Sequence, residues 1–86
     1  MSHRHEHTIL GQRVRAIRED LHGEDVGAMA GALGLPRETW RNYESGVTIP
    51  APVILEFIVR TGASPRWLWG GEGDRYCREA PSRSGR

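Results

Sequence analysis

The chain has 86 residues and a mass of 9.6 kDa, a size at which folding removes only about 60% of the chain's surface from water and which excludes a two-domain enzyme built around a cofactor cleft. Twelve basic residues against 11 acidic ones give a net charge of +1, so overall charge does not announce a nucleic-acid partner. Every basic residue is Arg, the side chain suited to bidentate contacts with guanine or phosphate.

The longest apolar stretch, Val53 to Val59, is interrupted by Glu56 and falls far short of the roughly 20 residues that span a bilayer. The first residues are polar and His-rich, which predicts no secretory leader. Cys77 stands alone, so no internal disulfide framework is possible, and a reducing cytoplasm is the expected compartment.

Residues 1–7 carry no apolar side chain after Met1 and are expected to form a flexible arm. Leu10, Val14, Ile17 and Leu21 then recur at the spacing of one helical face, with Thr8 as the candidate N-cap and His22-Gly23 as the stop. Asp25 is the next cap candidate. Val26, Met29, Ala30 and Leu33 keep helical spacing up to Gly34, a natural C-terminal stop. Pro36 suits the first turn of a third helix, with Trp40 and Tyr43 inward and Ser45-Gly46 at its end. Ala51-Pro52 opens a fourth helix that runs to about Thr61. Ser64 and Pro65 cap and start a short fifth one, which holds Trp67, Leu68 and Trp69 and stops at Gly70-Gly71. No alternating run is long enough for a strand, so the fold is expected to be all-α. Domain limits follow: arm 1–7, folded domain 8–74, and a polar, disordered tail 75–86.

The run Ala30…Leu33-Gly34-Leu35…Thr39-Trp40-Arg41-Asn42-Tyr43-Glu44-Ser45-Gly46, followed by Pro50, resembles the phage-repressor-type (lambda repressor/Cro-like, XRE-type) helix-turn-helix family. Gly62 to Gly73 is similar to the fifth helix of that family and its closing Gly-Glu-Gly. The resemblance covers about Ile9 to Gly73. It implies a five-helix DNA-binding domain whose third helix enters the major groove. It further implies that Ala30 is the small residue at the crossing of two helices, Gly34 the left-handed turn residue, and Arg18 with Glu44 a structural salt bridge. The positions that match base-facing ones are Arg37, Glu38, Arg41 and Asn42. Thr39 is expected to be partly buried or at the groove edge, and Thr48, Arg13 and Arg15 are candidates for the backbone. By chemistry, Arg37 or Arg41 suits guanine, Asn42 suits adenine or a phosphate, and Glu38 suits cytosine N4.

Three features depart from the family. Val26 stands where many relatives have a phosphate-clamping Gln. Glu24 and Asp25 add negative charge to a loop one residue longer than usual, and Trp40 replaces an aliphatic anchor.

His3, His5 and His7 alternate, but no partner set accompanies them, and no metal or cofactor is expected. Nothing assembles into a catalytic motif, so the chain is not expected to be an enzyme. On the fourth helix Leu55 and Val59 lie off the face of Ile54, Phe57 and Ile58. Trp67 and Trp69 cannot both point inward from so short a helix. These four residues are the expected dimer interface. The expected function is therefore a homodimeric, sequence-specific transcriptional regulator, and the alternative is a protein-interaction module of the same fold.

Overall fold

The computed structural model describes residues 2–77, with side chains from residue 8 onward. Five helices follow one another: α1 (Ser2–His22), α2 (Val26–Ala32), α3 (Arg37–Glu44), α4 (Ala51–Thr61) and α5 (Pro65–Gly70). Among the described residues there is no strand, only an isolated antiparallel bridge between Ala63 and Tyr76.

Local chemistry accounts for most of the boundaries. Asp25 caps α2, its carboxylate accepting the Ala28 N–H at 2.9 Å, and Ser64 caps α5 through the Trp67 N–H. Pro52 and Pro65 sit in the first turns of α4 and α5, where a missing N–H costs nothing. Between α2 and α3 the chain reverses over Leu33 to Pro36. Gly34 there takes φ +69°, a conformation in which a side chain would be strained.

Two expected boundaries are corrected. Helix α1 starts at Ser2 and not at Thr8, so residues 2–7 are helical backbone. Residues 2–7 contain neither Gly nor Pro, and once a turn exists each further residue adds at little cost. Thr8 is thus no N-cap; it lies against Gly46, in the loop after α3. At the other end, Arg75, Tyr76 and Cys77 belong to the fold. The Ser64 N–H donates to the Arg75 carbonyl and the Cys77 N–H to the Gly62 carbonyl, both at 2.8 Å. The expected tail thus loses its first three residues to the domain, and its remainder, 78–86, lies outside the described residues.

Every helix contributes to one core: Val14 and Ile17 from α1, Met29 and Ala30 from α2, Trp40 from α3, Phe57 from α4 and Leu68 from α5, with Ala63 between the last two. Burial of each larger side chain stabilises by about 1.5–3 kcal/mol. Trp40 is the centre, its ring stacked on Phe57 at 5.3 Å and edge-on to Tyr43 at 6.0 Å. Ala30 is almost wholly buried, as a crossing residue must be. Gly11 is the tightest point. A Cβ there would lie 2.7 Å from the Tyr43 carbonyl oxygen and 2.8 Å from that of Glu44, so only glycine lets α1 approach the end of α3.

Candidate nucleic-acid interface

Helix α3 is divided along its length. Trp40 is fully buried and Tyr43 half-buried, whereas Arg37, Glu38, Arg41 and Asn42 are exposed. Among the described residues none of these four side chains makes a hydrogen bond or ion pair, so their donors and acceptors face water. Thr39 is half-buried at the edge, and Thr48 is exposed in the loop that follows. Arg37 leans on α2, its Cδ 3.7 Å from the place of a Cβ on Gly27.

What fixes this helix is the end of its inner face. The Glu44 carboxylate accepts from Arg18 Nε at 3.0 Å and Nη2 at 2.8 Å, and from the Trp40 indole N–H at 2.6 Å. Arg18 Nη1 also donates to the Gly23 carbonyl at 2.7 Å, which holds the end of α1 in place. The Arg18 and Glu44 side chains are only 6% and 8% exposed. The hydrogen bonds to Glu44 raise the Arg18 pKa above its ordinary value, against the opposing effect of burial. With no buried side-chain nitrogen or oxygen left without a partner among the described residues, such a pair fixes one orientation of α3. The Trp40 indole bond is the part that sequence reading missed, although its i, i+4 spacing to Glu44 was a usable signal.

Beside this pair lies a cavity of about 280 Å³, lined by Arg15, Arg18, Val26, Arg41, Glu44 and Ser45. Glu44 neutralises Arg18, and Arg15 shares its charge with Glu19 at 3.0 Å. The uncompensated charge in the cavity is that of Arg41, whose five donors suit a phosphate or the edge of a guanine.

Two expected site residues sit elsewhere. Arg13 does not reach outward: its Nη1 donates to the carbonyls of Leu68 at 3.2 Å and Trp69 at 3.0 Å. It satisfies the carbonyl end of α5, where a cation is favoured. Trp67 is half-buried. It packs against the core, and Arg75 covers its ring with Cζ 4.8 Å from the centroid. Leu55, Val59 and Trp69 are 60%, 78% and 74% exposed and form the remaining apolar surface of α4 and α5. The side chains of His3, His5 and His7 lie outside the described residues.

No family model matches the chain, and no solved structure matches it. A similarity exists to GDP-fucose protein O-fucosyltransferase 3 of Danio rerio, 37% identical over 46 residues. It takes in 54% of this chain and 10% of that protein, so the chain spans about a tenth of the relative's length, too little to carry an activity over.

Proposed function

We propose that the chain is a sequence-specific DNA-binding regulator of transcription, a repressor in mode of action, that works as a homodimer in the cytoplasm. The observation that carries this reading is the division of α3: four exposed polar side chains without partners, on a helix clamped to the core by Trp40 and by the Arg18–Glu44 pair. In this reading α2 and α3 form a helix-turn-helix, Arg37, Arg41 and Asn42 reach base edges, and the cavity beside Arg41 takes a backbone phosphate. Leu55, Val59 and Trp69 join two copies, so that paired α3 helices meet successive turns of the duplex.

The test is a fluorescence-anisotropy titration with random duplex DNA across a salt series, followed by selection of the preferred sequence. A steep fall of affinity with salt is the expected signature of counterion release. On the selected sequence, Arg41→Ala is expected to weaken binding by about 1–3 kcal/mol. An equal loss on random DNA reassigns Arg41 to phosphate.

A second reading, a protein-interaction module of the same fold, is favoured by one feature. Arg13 is diverted to α5 while Glu38 stands exposed in the first turn of α3, which thins the positive face. Absence of DNA binding at low salt by folded protein selects this reading.

A further inference from the structure

The segment after α5 returns through Gly71-Glu72-Gly73-Asp74 and pairs with the α4–α5 turn. Its main-chain hold is two hydrogen bonds, Ser64 N–H to the Arg75 carbonyl and Cys77 N–H to the Gly62 carbonyl. The side-chain bonds of Arg75 and Tyr76 converge on one atom, and Cys77 Sγ adds a weaker bond to the Ala63 carbonyl at 3.8 Å. Asp20 Oδ2 accepts from Arg75 Nη1 at 2.8 Å and from the Tyr76 hydroxyl at 2.7 Å. The same Arg75 lies over the Trp67 ring. Residues 55 and 56 positions apart are thereby joined, α1 to the end of the described chain.

We propose that Arg75–Cys77 is a detachable strap, keyed to the single oxygen Asp20 Oδ2, whose release uncovers Trp67 while the rest of the core stays folded. Two features make it detachable. None of the three residues is buried, Tyr76 being half-buried against the core and the others exposed, so leaving costs the apolar contact of one half-buried ring. The Arg75–Asp20 pair is itself 41% and 39% exposed, and water replaces it readily. Segments held by so few buried contacts open locally, ahead of global unfolding. Asp20 Oδ2 is the key because the two strong side-chain donors, Arg75 and Tyr76, both end on it, whereas the Cys77 thiol makes only a 3.8 Å bond to the Ala63 carbonyl. Removing that carboxylate frees Arg75 and Tyr76 together, and with Arg75 goes the cover of Trp67. The strap is independent of the DNA reading.

Amide hydrogen exchange on the full chain tests it. In the wild type, the Ser64 and Cys77 amides are expected to exchange well ahead of core helical amides such as Ile17 and Trp40. Asp20→Ala is expected to speed the Ser64 and Cys77 amides by about tenfold and to leave the core amides unchanged. Tyr76→Phe, which keeps the ring and the Arg75 bond, is expected to give a smaller acceleration at the same two amides. It serves as the second variant should Asp20→Ala fold poorly. Two results overturn the strap: unchanged exchange at Ser64 and Cys77 in both variants, or exchange of these amides in step with the core in the wild type.

Discussion

Two carboxylates in this molecule are held by the same pair of chemistries, one arginine and one aromatic donor. Glu44 accepts from Arg18 and the Trp40 indole; Asp20 accepts from Arg75 and the Tyr76 hydroxyl. The distances are close to equal. What separates them is water: the first pair is 6% and 8% exposed, the second 41% and 39%. A buried charge left without its partner cannot be rehydrated, whereas an exposed one can. Similar bonds thus give one corner that fixes α3 and another that can come apart.

Substitutions should break that comparison in a definite order. Glu44→Gln keeps the shape but leaves the Arg18 charge buried and uncompensated, an expected loss of about 3–5 kcal/mol. It is read as a lower urea midpoint with an unchanged slope. Gly11→Ala sets a methyl against the Tyr43 and Glu44 carbonyls at the same corner. Its expected cost, about 1–3 kcal/mol by overpacking, is measured the same way. Asp20→Ala, removing the matching carboxylate at the exposed site, is expected to lower global stability by less than about 1 kcal/mol. A loss as large as that of Glu44→Gln would show that exposure does not distinguish the two.

The smallest effects are those of pH, and they act on the strap from both sides. The hydrogen bond from Tyr76, and then that from Arg75, hold the Asp20 pKa below its ordinary 3.8. Its contribution is therefore present above that value and fades as pH falls through the lowered one. Burial, and then the bond to Asp20, push Tyr76 up to about 12 from 10.0. Its contribution is intact below 10.0 and lost as pH rises to about 12. A phenolate absorbance titration, in which one tyrosine ionises late in the wild type and earlier in Asp20→Ala, checks the alkaline limb.

The contrast also explains what could be read from the sequence. Elements set by near neighbours were legible: the Asp25 and Ser64 caps, the prolines that open α4 and α5, the turn at Gly34. The division of α3 was legible too: helical spacing put Trp40 and Tyr43 inside, and the family resemblance implied that Arg37, Glu38, Arg41 and Asn42 lie outside. Missed were features whose partners lie far along the chain. Arg13 finds the carbonyls of α5 across 55 and 56 positions, and no local pattern distinguishes it from a free surface arginine. Arg75 and Tyr76 look like the start of a polar tail until Asp20 is brought beside them. The start of α1 failed for a different reason: Thr8 has the chemistry of a cap, but nothing before it stops a helix.

The division of α3 has a consequence for how such a chain can change. The four outward side chains carry no part of the core, so a library randomised at positions 37, 38, 41 and 42 should consist largely of folded members. Selection on such a library would act on recognition alone, unburdened by a parallel demand for stability. The inner half of the same helix offers no such latitude, because Trp40 and Glu44 answer to Phe57 and Arg18 before they answer to any ligand.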